Sequence, residues 1–446
     1  MDDNGLTGKV IWPWDPEYER ARQEYNRAIE AFPVAIVYCY NSQDVANAIG
    51  WSRKHHVKLR IRSGGHNYNG YSTGNGKLVI DTTLMDQIAI DTENETVKVQ
   101  SGVRLSKLYD ILYQHGYAFP GGTCPTVAIA GLTLGGGIGL STRYLGLTCD
   151  SLIEAEMVNA KGELLTANQE CNPGLFWALR GAGGGNFGVV TSFTFTLKKK
   201  VDKITLIQLE WNNNEAARFQ FLYKWQDWLE DLDPRMSAFG RVFKVGVFFF
   251  AFFYGLPEEA VEILNPILSI PGLTMKSIEY VDFIVAIDTI GDYYPKKDKF
   301  IDTGRFVYRY FCENEIKKII KILDKAPSDE NSLIKVYSLG GAVRAVDAVD
   351  TAFYYRTAKY IMAISSSWEE NVQAPVNKAW VAKGFKYIKQ LTCGSFVNFP
   401  YPRLRDYLVA YFGGHVKTLQ IIKTKYDPKN IFSFPQSIKP VFIMEN

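Results

Sequence analysis

The chain lacks the features that mark several large classes of protein. No run of basic side chains exceeds Lys198-Lys199-Lys200, and 50 Lys and Arg against 47 Asp and Glu leave a formal charge of only +3. A nucleic-acid-binding stripe needs charge gathered on one face, so nucleic acid is not an expected partner. No stretch approaches the roughly 18 uninterrupted apolar residues of a membrane helix. The most apolar window, VGVFFFAFFY from Val245 to Tyr254, is one buried strand long. The N-terminus, MDDNGLTGKVIWPWDPEY, carries acids where a leader needs basic residues and has no apolar h-region, so a soluble chain without a Sec-type address is expected. The six cysteines show no C-x-x-C spacing, and none of the five histidines stands at helical ligand spacing to another His or Cys. Neither a disulfide framework nor a zinc site is therefore expected. Each cysteine reads as a small buried hydrophobe except Cys124. No G-x-x-x-x-G-K-[ST] occurs, which excludes a P-loop.

What is present describes a folded chain of two or three domains: 446 residues, 47% hydrophobic and 22% charged. Up to about residue 200, short apolar runs of strand character alternate with single helices. AIVYCY, KLRIRSGG, KLVIDTTL and TVKVQSG read as strands, a helix begins at Ser42, and VRLSKLYDILYQHG is an amphipathic helix ended by Gly116. This mixture describes one α+β domain. From 201 to 390 aromatic-rich strands (ITLIQLEW, FGRVFKVGVFFFAFFYG, YIMAISSSW) interleave with helices, which predicts an antiparallel sheet covered on one face. The segment 391–446 is dense in Pro, Tyr and Phe and reads as an ordered closing segment.

Three glycine-rich stretches stand out. Arg62-Ser63-Gly64-Gly65-His66-Asn67-Tyr68 follows a strand and reads either as a backbone nest for phosphate or as a tight turn with a surface histidine. The second runs from Gly121-Gly122-Thr123-Cys124 to Gly131-Leu132-Thr133-Leu134-Gly135-Gly136-Gly137-Ile138-Gly139. So many glycines lose too much entropy on ordering to form a helix or strand interior, so something must pack hard on this backbone: another chain segment or a flat cofactor. The third, Gly183-Gly184-Gly185-Asn186-Phe187-Gly188, satisfies G-x-G-x-x-G but lies between a helix and a strand, the reverse of a Rossmann fingerprint.

RSGGHNY, GGTCPTV, GLTLGGGIG, RYLGLTCDSL and LRGAGGGNFGVVTSFTF, with the tail PYPRLRDYLVAYFGGHVKTLQIIKTKYDPKNIFSFPQSI, resemble the FAD-linked oxidases related to berberine bridge enzyme, within the vanillyl-alcohol-oxidase superfamily. The resemblance implies a PCMH-type, two-part FAD-binding domain formed by 1–200 and the returning segment 391–446, with a substrate-binding domain at 201–390. It implies FAD bonded at its 8α-methyl to His66 and at carbon 6 to Cys124. The residues it places around the cofactor are Arg62, Ser63, Gly64, Gly65, Asn67, Thr123, Val127, Gly131, Thr133, Gly136, Gly137, Gly139, Gly188, Val190 and Asn398. Val127 stands at the family's oxygen gate, where valine leaves room, so molecular oxygen is the expected acceptor and hydrogen peroxide the product. Ala128 replaces the glycine usual at the next position. No membrane partner is implied, and relatives of this kind place the chain in the cytoplasm or on spores.

The pattern breaks at the base. Phe396-Val397-Asn398-Phe399 stands where many relatives have Tyr-x-Asn-Tyr, and Ile138 replaces a third tyrosine; none of the three can accept a proton. Tyr68 and Tyr401 are the substitutes expected to act as base, with Tyr355 and His415 as further candidates. The expected function is oxidation of an alcohol, sugar or secondary metabolite by hydride transfer to flavin N5. The alternatives are a covalent-flavin coat protein with little sugar oxidase activity or a dehydrogenase with another acceptor; an NAD(P)H-linked reductase fits less well.

Overall fold

The computed structural model describes residues 4–197 and 200–441; Lys198 and Lys199 of the lysine run and the first three residues lie outside them. The early apolar runs build two sheets. Lys9–Ile11, Ala35–Tyr38, Leu78–Asp81 and Leu59–Arg62 lie side by side in that order. Leu78–Asp81 is parallel to both of its neighbours. Parallel pairing needs a crossover, and the helix Ser42–Lys54 supplies it, capped by Asn41, whose side chain accepts the Asp44 N–H at 3.0 Å. Ile88–Asp91, Thr96–Gln100, Val189–Thr196, Leu152–Val158 and Leu164–Asn168 form a second, antiparallel sheet. The third glycine stretch lies between the helix Pro173–Ala178 and the strand Val189–Thr196, the order read from the sequence.

Eight strands form the third sheet, in the spatial order Met275–Asp282, Lys203–Trp211, Val247–Phe253, Met236–Phe243, Ser332–Ser338, Tyr360–Ser367, Phe300–Val307 and Cys393–Ser395, antiparallel throughout. The VGVFFFAFFY window is the strand Val247–Phe253, buried at every residue, so its pattern is continuous instead of alternating. Helices cover one face of this sheet: Phe221 and Trp225 of Glu215–Trp228 pack on Phe249, and Gly384 of Ala374–Leu391 meets Ile364. Side chains alternate along a strand. Phe221 lies against the Cα of Gly240, so Phe239, Arg241 and Phe243 point to the opposite face. Arg241 is paired directly with Lys335, and Lys335 with Ala363, across adjacent strands.

The closing segment contributes to two places. Cys393–Ser395 edges the eight-stranded sheet beside Arg305 and Phe306. Further on, the buried Lys423 ammonium donates to the carbonyls of Asn186 (2.6 Å) and Phe432 (2.7 Å) and pairs with Asp427. Phe432 joins the core of the four-stranded sheet, and the Ile438 N–H donates to the Asn186 side chain at 2.9 Å. A buried charge this well satisfied pins the tail to the Gly183–Gly188 loop.

Candidate flavin and substrate site

The three sheets enclose a cavity of about 710 Å³. Its walls include Leu59, Arg60 and Ile61 from the first sheet, Val190 from the second, and Arg241, Lys335 and Ser365 from the Arg241 face of the third.

Two glycine-flanked loops meet at its edge, and Arg104 ties them together. The Arg104 guanidinium donates to the carbonyl of Gly64 (2.8 Å) in one loop and to that of Thr126 in the other. The Asn67 side chain accepts the N–H groups of Asn69 (3.1 Å) and Tyr71 (3.0 Å), an Asx turn that sets the exit of the first loop. His66 Nε2 lies 3.0 Å from the Thr126 hydroxyl, and Cys124 Sγ lies 3.5 Å from the same oxygen. Contacts of 3.0 and 3.5 Å to one atom put the nitrogen and sulfur no more than 6.5 Å apart. Burial, helped by the charge of Arg104, pushes the imidazole down to about 3, so His66 is neutral at physiological pH and keeps a free lone pair.

Of the residues expected at a cofactor, Ser63, Gly64, Gly65, His66 and Asn67 line the cavity, as do Cys124, Val127, Gly131, Gly188, Val190 and Asn398. Thr123 lines an inner recess of about 130 Å³, its hydroxyl 2.6 Å from that of Tyr294. Others are not brought to the cavity. Arg62 is buried against Asp81 and Glu24, and the Thr133 hydroxyl donates to its own helix at Ile129. Gly136, Gly137 and Gly139 are required by protein packing: a Cβ would lie 2.7 Å from Phe353, 2.2 Å from Thr148 and 1.9 Å from the Gly121 carbonyl, respectively. At Gly131, which faces the cavity, a Cβ would meet no atom within 4 Å. The dense glycine stretch therefore serves both alternatives, a chain segment along most of its length and an open cavity at its start. An approachable backbone at Gly131 and a neutral imidazole near a thiol suit a flat, electrophilic aromatic cofactor.

Tyr68 lines both cavity and recess, its ring parallel to Phe399 at 5.4 Å and edge-on to Phe300 at 5.0 Å. Burial, reinforced by the charge of Asp302, pushes its phenol well above the usual range, which keeps it protonated. Tyr401 is instead buried against Phe385 at 4.1 Å and does not line the cavity. Tyr355 donates to the carbonyls of Val409 (3.0 Å) and Ala410 (2.7 Å), and His415 sits 3.4 Å from the Ala352 carbonyl; neither lines the cavity. Ile138, Phe396 and Phe399 line the recess beside the phenols of Tyr68, Tyr294 and Tyr337. Sequence reasoning passed over Arg241, Asp302 and Lys335, which all line the cavity. The available signal was a lone charge on an apolar strand, in FGRVF, FIDTG and SLIKVYS.

This architecture, with its two loops converging on a cavity between sheets, defines a FAD-dependent oxidoreductase with a PCMH-type fold. Residues 33–168 match the FAD binding domain family, and 395–439 match the berberine and berberine-like family. The chain is 35% identical to the FAD-linked oxidoreductase YgaK of Bacillus subtilis over 99% of both chains, and 28% identical to the chitooligosaccharide oxidase of Gibberella zeae over 93% of this chain and 89% of that one. The solved BBE-like 1 protein of Physcomitrella patens superposes with a TM-score of 0.92 at 27% identity, covering 99% of this chain and 98% of the other. The chain belongs to the berberine bridge enzyme-like FAD-linked oxidoreductases. Among the described residues no helix is long and apolar enough to cross a membrane.

Proposed function

We propose that this chain carries FAD joined through both His66 and Cys124 and oxidises an alcohol group of a small organic substrate, with molecular oxygen as acceptor and hydrogen peroxide as product. When bound, the flavin supplies the hydride acceptor. The observation that carries the reading is the shared Thr126 hydroxyl, which gathers a neutral imidazole nitrogen and a thiol sulfur within 6.5 Å of one another at the cavity wall. That separation suits one edge of a fused aromatic ring with a bond at each end. His66 and Cys124 would hold the ring, while Ser63, Gly64, Gly65 and Asn67 would approach the rest of the cofactor through the first loop. Val127 lines the cavity, and its short side chain would leave room for oxygen beside a bound ring.

Tyr68, protonated, orients the substrate hydroxyl as a hydrogen-bond donor, and Asp302 takes the proton. One Asp302 oxygen is held by Lys335; the other is buried, has no hydrogen-bond partner among the described residues, and belongs to a side chain at the cavity wall. Absorbance and intact mass after acid denaturation test the attachment: flavin retained on both peptides is expected, and complete release of the flavin overturns it. Stopped-flow reoxidation by air tests the acceptor; slow reoxidation would mean a dehydrogenase.

A further inference from the structure

The inner recess contains a cation that the reaction proposed above does not use. Arg241 and Lys335 are the charged side chains of its wall, and they stand directly opposite each other on neighbouring strands. Like charges in that arrangement repel. Asp302 offsets Lys335. Nothing equivalent offsets Arg241: among the described residues its guanidinium makes no ion pair and donates no hydrogen bond. It is instead framed by aromatic rings, with Phe250 at 5.1 Å, Tyr294 at 5.6 Å and Tyr293 at 5.9 Å. Cation–π contacts position a guanidinium and leave its in-plane N–H donors free. A half-buried arginine on the cavity side of a sheet, oriented by rings and facing a second cation, is arranged for an anion that arrives from outside.

We propose that Arg241 is the receptor for a substrate carboxylate, and that the substrate is a hydroxy acid with an aromatic or apolar body. Planar fork geometry favours a carboxylate, which the guanidinium grips with two parallel hydrogen bonds. The body is indicated by the rest of the recess, where Phe239, Ile138, Phe396 and Phe399 offer aromatic and apolar surface beside the polar side chains of Thr123, Tyr294, Tyr337 and Asn398. A neutral sugar would leave the Arg241 charge uncompensated. This inference rests on the reading of the cavity as a flavin-containing oxidase site.

The test uses the flavin-loaded protein and two ligands that cannot be oxidised there, benzoate and its neutral isostere benzamide, with binding read by perturbation of the flavin spectrum and by calorimetry. Benzoate is expected to bind at least tenfold more tightly than benzamide, the difference a charge-assisted bidentate contact supports. Arg241→Gln is expected to abolish the preference and Arg241→Lys to restore part of it. Equal binding of the two ligands, or no binding of benzoate, overturns the proposal in the wild-type protein alone, whatever the folding of the variants. Flavin released on denaturation would sink the double tether yet leave this comparison readable.

Discussion

The ring of Tyr25 lies 4.1 Å from that of His66, tilted by only 24°. Its hydroxyl donates to the Pro295 carbonyl at 3.0 Å, so the tyrosine is anchored at its far end. The stack leaves the imidazole little freedom to turn, and its Nε2 stays directed at Thr126. A nucleophile held in one orientation forfeits less entropy at the moment of bond formation. Attachment of the cofactor to His66 should depend on this pairing as much as on the imidazole itself.

His66→Ala and Cys124→Ala should each leave flavin attached to the folded chain through the other residue, and the double variant should release all of it on acid precipitation. Fluorescence of the denatured protein on a gel reads the outcome directly. Tyr25→Ala should slow attachment at His66 and leave attachment at Cys124 unchanged, measured by mass spectrometry of the two peptides over time.

Asp302→Asn removes the proton acceptor and keeps its shape. Its kcat should fall by about 10²–10⁴-fold, the usual contribution of a positioned base. Tyr68→Phe removes one orienting hydrogen bond and should lower kcat/KM by about tenfold. The two readings separate if Tyr68→Phe is the more damaging, which would return the base to the phenol.

The histidine makes a pH prediction whose sign is fixed. The His66 pKa in the folded chain is about 3 against a reference of 6.5, so the unfolded chain takes up the proton first as the solution is acidified. The stability contributed by the neutral imidazole is complete above pH 6.5 and is lost as pH falls from there towards 3. In chain produced without flavin, the wild type should lose Tm over that range more steeply than His66→Ala. Parallel Tm profiles would contradict the burial of this ring.

Gly139→Ala should destabilise the fold and not the cofactor site. Its Cβ would stand 1.9 Å from the Gly121 carbonyl oxygen, a backbone atom that cannot swing away. Overpacking of this kind costs about 1–3 kcal/mol, a clear drop in Tm. The fraction that folds should still bind flavin with normal stoichiometry. Gly131→Ala is the contrasting change: thermal stability should hold, while flavin incorporation falls because the new methyl group enters the cavity.

Local pattern decided much of this protein before any contact was known. Alternation and helical spacing set the strands at Ala35–Tyr38, Lys203–Trp211 and Tyr360–Ser367 and the helices at Ser42–Lys54 and Leu105–Gln114, because each depends on neighbours in the chain. The family resemblance singled out His66 and Cys124 together, and the structure brings both side chains to the Thr126 hydroxyl. What the third dimension alone decided is which side chains share a space. Tyr68 and Tyr401 look equally eligible in sequence, yet one lies at the cavity and the other is buried against Phe385. Gly131 and Gly139 differ in function because different atoms stand over their Cα positions. Arg241, Lys335 and Asp302 come together only through strand register, which depends on residues 33 to 94 positions apart and leaves no local trace.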